Sequence, residues 1–92
     1  MQPDPFIISA EGDFLTWVMI LDQLDEAHVH LGELVRKIHA DQQFDEVDVM
    51  VQLGHIYGHL NRFWHGRKIL DGNFDAMYTD DCSAFPDDVI LT

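Results

Sequence analysis

A seven-residue repeat of mostly apolar residues begins at Phe14 and constrains the fold more than any other feature of the sequence. The two sets of repeat positions are filled by Phe14, Leu21, His28 and Val35, and by Trp17, Leu24, Leu31 and Ile38. Apolar residues that alternate spacings of three and four lie along one side of an α-helix. The repeat therefore predicts a long first helix, from about residue 13 to residue 39, with this heptad stripe as its core face.

A second helix is predicted from about residue 43 to residue 65. Acidic residues crowd its beginning, and Gly66 suits a left-handed cap after its end. On a helical wheel one arc is apolar and consists of Val49, Met50, Leu53, Ile56, Tyr57, Leu60, Phe63 and Trp64. Because only residues 40–42 separate the two helices, an antiparallel helical hairpin is expected.

The rest of the chain predicts a short third helix and extended apolar termini. Residues 74–78 have apolar side chains at helical spacing and follow Asn73, a candidate N-cap. Short β-favouring apolar runs at residues 6–8 and 89–91 follow Pro5 directly and Pro86 after two aspartates. These runs either pair as a two-stranded ribbon or pack against the hairpin as tails.

The hairpin carries more apolar side chains than two helices can bury against each other. Leu15 and Met19 point away from the heptad stripe and need a cover. Either the apolar termini supply it, or two hairpins associate as a four-helix bundle. The sequence is equally compatible with a monomer and a homodimer.

Length and charge exclude several classes of function. The 92 residues include 17 acidic and 5 basic side chains, which give a formal net charge of −12 at pH 7. Basic side chains provide most of the affinity for nucleic acids, so direct binding to DNA or RNA is not expected. The length predicts a single domain over residues 1–92, and an apolar fraction of 47% suffices for a core.

The compartment and the class of chemistry follow from what the sequence lacks. Cys82 is the one cysteine, so no disulfide within the chain is expected. The first residues lack a basic signal-peptide start, and the longest apolar run, residues 17–21, is far shorter than the ~20 residues of a membrane span. A cytoplasmic protein is therefore predicted, without membrane association. No phosphate-binding glycine loop or activated nucleophile is present, which predicts a non-enzymatic protein without a cofactor.

Two histidines of the second helix form a candidate metal site. His55 and His59 are four residues apart, a spacing that allows two imidazoles to bind one metal ion. No acidic general base lies between them, so the helix is not that of a zinc protease. On the helical wheel both histidines lie opposite the apolar arc, on a face expected to be solvated. Zinc binding at these two histidines is the third of three hypotheses for function, after binding to a basic partner protein and assembly as a structural homodimer.

A further histidine, His28, falls within the heptad stripe. A buried imidazole needs a hydrogen-bond partner, and protonation at about pH 6 would disturb its surroundings. His28 is therefore expected in the core, either as a satisfied structural residue or as a pH switch. His30, His39 and His65 are expected at the surface or near helix C-termini.

A stripe of small residues lies beside the apolar arc of the second helix. It consists of Val47, Val51, Gly54 and Gly58. An interior glycine lowers helix propensity by about 1 kcal/mol relative to alanine, so two in one helix indicate a packing role. This glycine shelf is expected either to receive another segment of the chain or to form a dimer contact.

Size, charge and helicity together predict a non-enzymatic protein-binding module that docks on a basic partner protein. Inhibitors, immunity proteins and mimics of nucleic acid share these general properties, and charge steers their encounters. The acids expected at the contact are Asp22, Asp25, Glu26, Glu33, Asp80, Asp81, Asp87 and Asp88. The alternative is a structural homodimer or small assembly subunit without its own ligand, for which the uncovered apolar residues are the supporting feature.

Overall fold

Two long helices make up most of the described structure, a computed structural model that covers residues 7–69 and 72–78. Helix α1 spans Phe14–Asp41, helix α2 spans Glu46–Gly66, and a short 3-10 helix, η1, spans Phe74–Tyr78. The predicted mainly helical fold is confirmed, with α1 and α2 packed against each other. Within the described ranges, no helix combines the length and the apolarity needed to cross a lipid bilayer.

Two local conformations fix the connection between the helices. Gln42 is left-handed (φ 56°), and its backbone N–H donates to the carbonyl of Ile38 at the end of α1. Asp45 then caps α2, because its carboxylate accepts hydrogen bonds from the backbone N–H groups of Val47 and Asp48. The connection therefore begins and ends a few residues later than the sequence predicts.

Contacts across the seam between α1 and α2 establish that the helices are antiparallel. From the connection outwards, the contacting pairs are Lys37–Asp48, His30–His55 and Gln23–His59, and Thr16 donates to the carbonyl of Ile69 just beyond the end of α2. Residue numbers fall along α1 as they rise along α2, as an antiparallel hairpin requires. Each of these contacts is polar, so the seam combines a ladder of polar pairs with the apolar core.

The apolar core is small and lies at the middle of the hairpin. Ala27 and Leu34 of α1 are buried with Ile56 of α2, and four partly buried side chains pack against this cluster. These four are Ile38, Val49, Leu53 and Leu60. On α2 the predicted apolar arc is therefore correct in part, although Met50 remains 64% exposed.

The prediction that the heptad stripe forms the core face of α1 is wrong for most of the stripe, although Ile38 packs against the core. The buried residues of α1 are instead Thr16, Ile20, Gln23, Ala27 and Leu34. Leu31 and Val35 of the stripe each retain 47% exposure, and His28 is exposed. Thr16 and Gln23 find hydrogen-bond partners across the seam, which offsets the cost of burying their polar groups and allows this rotation of the helix.

The glycine shelf is not one continuous surface. Gly58 is buried, whereas Gly54 is exposed and a Cβ added to it would meet no atom within 4 Å. Val47 and Val51 are exposed as well. No described segment therefore packs on Gly54. The alternative prediction, a dimer contact through this shelf, stays a prediction.

The short helix η1 packs against the end of α2, and its position confirms the predicted third helix. Met77 is fully buried there, close to Gly66 and Ile20. A Cβ on Gly66 would lie 2.8 Å from Cγ2 of Ile20 and 3.2 Å from Sδ of Met77. Gly66 is thus the last residue of α2 and not a left-handed cap. A small residue fits here because α1, α2 and η1 meet at this position.

The apolar termini are described only in part. Ile7 is exposed and Ile8 is half-buried, and neither belongs to a strand. Leu15 is exposed and Met19 is half-buried. The run at residues 89–91 lies outside the described ranges.

Candidate metal centre

Three imidazoles converge at the seam between α1 and α2. Nε2 of His55 lies 3.2 Å from Nε2 of His30 and 3.2 Å from Nε2 of His59. One ligand atom from each of the three residues lies within 4.8 Å of the others. We call these residues the three-histidine cluster, which is the one metal-binding constellation of His, Cys, Asp or Glu within residues 7–69 and 72–78.

The antiparallel hairpin brings the three residues together. His55 and His59 are one turn apart on α2, so they project from the same side of the helix. His30 enters from α1 opposite them. The His30 and His59 rings are nearly parallel (10°), and the His55 ring is nearly perpendicular to both (87° and 86°). The His55 ring therefore makes a T-shaped contact with each of the other two rings.

Nε2 of His55 has two imidazole nitrogens as neighbours at 3.2 Å. An imidazole nitrogen either donates through one N–H or accepts through one in-plane lone pair, so one hydrogen bond is at best shared between the two neighbours. A metal ion bound to the three nitrogens would replace this shared contact. Nitrogen ligands about 2.0–2.1 Å from a tetrahedral zinc ion are about 3.3 Å apart, close to the two observed separations.

His59 is held from behind by a buried glutamine. Nδ1 of His59 donates to Oε1 of Gln23 at 2.8 Å, and both side chains are buried. The amide nitrogen of Gln23 donates in turn to the Tyr78 hydroxyl at 3.4 Å. With its proton on Nδ1, neutral His59 directs the lone pair of Nε2 toward the cluster. Metal-binding histidines are commonly oriented by such an outer hydrogen bond.

Two carboxylates of α1 flank His30. Oε2 of Glu26 lies 3.5 Å from Nε2 of His30, on the side of the cluster, and Oε2 of Glu33 lies 3.9 Å from Nδ1, on the opposite side of the ring. Carboxylates in these two places attract a cation to the cluster. Glu33 favours a proton on Nδ1 of His30, whereas Glu26 can accept one from Nε2 until a metal ion displaces it.

Burial lowers the pKa of His59 below its ordinary value, and the nearby His55 and Arg62 lower it further. Arg62 lies on the far side of the ring, with Nη1 3.4 Å from Nδ1 and 3.5 Å from Oε1 of Gln23. A lowered pKa keeps His59 neutral at neutral pH, and the neutral imidazole is the form that binds metal.

The structure corrects the sequence-based placement of three histidines. His59 was expected on the solvated face of α2 but is buried in the seam, with 9% of its surface exposed. His28 was expected in the core but is exposed, so the premise of a buried pH switch there is wrong. His30 was expected at the surface but is half-buried and joins the cluster. All three errors follow from the misassigned core face of α1 and from the wheel position given to α2.

The predicted partner-binding acids divide into two groups. Asp22, Asp25, Glu26 and Glu33 are exposed on α1. The other four predicted acids and the single cysteine lie outside the described ranges: Asp80, Asp81, Asp87, Asp88 and Cys82. Glu26 and Glu33 border the three-histidine cluster, whereas Asp22 and Asp25 make no described contact with it.

Comparisons of the chain with protein-family models, with curated proteins and with solved structures find no match. Function is therefore inferred from the geometry and the chemistry of the cluster.

Proposed function

We propose that this protein binds one divalent transition-metal ion, with Zn²⁺ the best fit, through Nε2 of His30, His55 and His59. The observation that supports this most directly is the clustering of three imidazole nitrogens within 4.8 Å of one another, with two of the pairs at 3.2 Å. Three imidazole nitrogens are a common ligand set for such an ion.

The chemistry of the surroundings favours a cation of this class. Imidazole nitrogens suit zinc, copper, nickel and cobalt, whereas calcium and magnesium prefer oxygen ligands. The formal charge of −12 and the carboxylates beside His30 attract cations over anions. Gln23 behind His59 supplies the outer hydrogen bond that such sites require.

Metal binding would also join the two helices. His30 belongs to α1 and the other two ligands to α2, so an ion bound to all three would cross-link the hairpin. Because the unfolded chain lacks this preformed site, the binding energy adds to the stability of the fold. For a domain with so small a core, this contribution is a physiological reason to bind metal.

A calorimetric titration of the metal-free protein with Zn²⁺ tests the proposal. We expect a single site with a dissociation constant of about 1 μM or lower, which corresponds to about −8 kcal/mol. Separate substitutions His30→Gln, His55→Gln and His59→Gln should each weaken binding at least about tenfold. His28→Gln is the matched control, since His28 is exposed on the same helix and outside the cluster. Binding weaker than about 10 μM, or equal losses in the control, would refute the proposal.

Docking on a basic partner protein is a second proposal, supported by the exposure of the α1 acids. Asp22 and Glu26 are one turn apart and both exposed, so they can contact a partner together. The double reversal Asp22→Lys with Glu26→Lys should lower the affinity for a basic partner protein. It should also make that affinity less dependent on salt concentration. An unchanged affinity would remove α1 from this proposal.

A homodimer is the alternative, supported by the apolar side chains that the hairpin leaves exposed. Trp17, Leu31 and Val35 of the heptad stripe lie on one side of α1 and remain at least 36% exposed. A second hairpin that packed on this stripe would give a four-helix bundle. Light scattering that gives the mass of a monomer, 10.6 kDa, across a wide concentration range would exclude it.

A further inference from the structure

We infer that Glu26 provides the fourth ligand and closes the metal centre as a site of three histidines and one carboxylate. This inference rests on the proposed function, since it presupposes that the three-histidine cluster binds a metal ion. It assigns to Glu26 a role distinct from that of the other exposed acids of α1.

The spacing along each helix supports this assignment. Glu26 and His30 are four residues apart on α1, and His55 and His59 are four residues apart on α2. Residues four apart project from the same side of a helix, so each helix has one pair on the side of the cluster. His30 and His59 are the more buried members, and Glu26 and His55 are exposed at the rim. Two such pairs facing each other supply the four ligands of a tetrahedral site.

Glu26 approaches one of the three histidines, His30, and its carboxylate is not among the ligand atoms that already lie within 4.8 Å of one another. Oε2 of Glu26 lies 3.5 Å from Nε2 of His30. A carboxylate oxygen and an imidazole nitrogen bound to one tetrahedral zinc ion are about 3.3–3.5 Å apart. The Glu26 side chain is half-exposed, so it is free to rotate from its contact with His30 toward the centre of the cluster.

Glu33 is assigned the outer position by the same geometry. Its carboxylate approaches Nδ1 of His30, the nitrogen that faces away from the cluster, at 3.9 Å. From there it can accept the Nδ1 proton but cannot reach the ion. Glu33 therefore stands behind His30 as Gln23 stands behind His59. Each of the two histidines, His30 and His59, has an outer partner.

With four protein ligands the centre would be a structural metal site, which retains its ion. Catalytic zinc sites keep one position open for water, whereas sites with four protein ligands are structural. The ligand set of three nitrogens and one oxygen, without a thiolate, selects Zn²⁺ or Co²⁺ in tetrahedral geometry. The inferred role is therefore retention of the ion and fastening of the hairpin.

Glu26→Gln, compared with Asp22→Asn, tests the inference. Both substitutions remove one negative charge from an exposed acid on the same helix, one turn apart, but only Glu26 contacts the cluster. We expect Glu26→Gln to weaken Zn²⁺ binding about tenfold or more, and Asp22→Asn to change it less than about threefold. Bound Co²⁺ should show the intense visible absorption of a four-coordinate tetrahedral ion in the wild type, and a weaker, shifted band in Glu26→Gln.

The outcomes separate this inference from the proposal it rests on. If the wild type binds Zn²⁺ and His55→Gln does not, but Glu26→Gln behaves like Asp22→Asn in affinity and Co²⁺ spectrum, Glu26 is not a ligand and only this inference fails. If the wild type binds neither ion, both fail. Circular dichroism of each variant confirms that the helices are intact, and Glu26→Ala repeats the test without an amide oxygen.

Discussion

Oε1 of Gln23 accepts a hydrogen bond from Nδ1 of His59 across the seam, at 2.8 Å. This contact joins the fold to the three-histidine cluster, because Gln23 is a buried residue of α1 and His59 a buried residue of α2. It fixes the neutral tautomer of His59 with its lone pair on Nε2, toward the cluster. The same bond satisfies a glutamine that would otherwise destabilise the core.

Substitution of Gln23 should therefore affect metal binding without touching a ligand. In Gln23→Met the size of the side chain is nearly kept but the acceptor for His59 is lost, so Zn²⁺ affinity should fall about 10- to 100-fold. Gln23→Glu keeps an oxygen acceptor beside Arg62 and should retain binding close to that of the wild type. Titration calorimetry of the two variants checks this. Equal affinities for Gln23→Met and the wild type would show that the outer bond is dispensable.

A matched pair of glycine substitutions tests the packing of the helix ends. Gly66→Ala places a Cβ 2.8 Å from Cγ2 of Ile20 and should destabilise the fold by about 1–3 kcal/mol through overpacking. Gly54→Ala adds a methyl group in open space within a helix and should stabilise it by about 0.5–1 kcal/mol. Urea denaturation measures both. Opposite signs are the expected result, and a loss of stability in Gly54→Ala would mean that another segment packs there.

Metal binding should raise the thermal stability of the hairpin. At a free Zn²⁺ concentration of about 100 times the dissociation constant, the stabilisation is about 2.7 kcal/mol, which for a domain of this size raises the midpoint by roughly 10 °C or more. Differential scanning calorimetry with and without Zn²⁺ measures the shift. Mg²⁺ at the same concentration is the control, since it prefers oxygen ligands and should leave the midpoint unchanged. Equal shifts with the two ions would point to general screening of the acidic surface.

Acidification should destabilise the metal-free protein. Burial lowers the pKa of His59 in the folded state, so below the ordinary histidine value of about 6.5 the unfolded chain binds more protons than the folded one. Stability from this residue is intact above that pH and is lost as the pH falls toward the lowered pKa. Thermal melts in chelator at pH 7.5, 6.5 and 5.5 should show this decline, and it should be smaller in His59→Gln. Melting temperatures that rise between pH 7.5 and 5.5 would contradict the burial of a neutral His59.

Much of the fold can be predicted from the sequence, but the rotation of α1 cannot. Start and stop signals identify both helices and η1 to within a few residues, and the short connection implies the hairpin. The heptad stripe predicts the wrong core face for most of α1, because a heptad pattern takes only apolar side chains into account. Thr16 and Gln23 are buried because their partners lie on other segments, and only the three-dimensional arrangement supplies those partners.

Only half of the candidate metal centre could be predicted from the sequence. The spacing of His55 and His59 is visible in the sequence, and so is that of Glu26 and His30, but nothing local indicates that the two pairs face each other. That requires the register of the hairpin. Polar pairs such as Lys37 with Asp48 reflect that register, but they are recognisable only once α1 and α2 are aligned.

Long-range ¹H–¹⁵N correlation of the imidazole nitrogens during a Zn²⁺ titration tests the central claim most directly. The account predicts that Nε2 of His30, His55 and His59 shift together and reach their end point at one equivalent of Zn²⁺. His28, His39 and His65 serve as internal controls and should keep their metal-free shifts. Shifts spread over all six histidines, or an end point beyond one equivalent, would contradict a single metal centre at the seam.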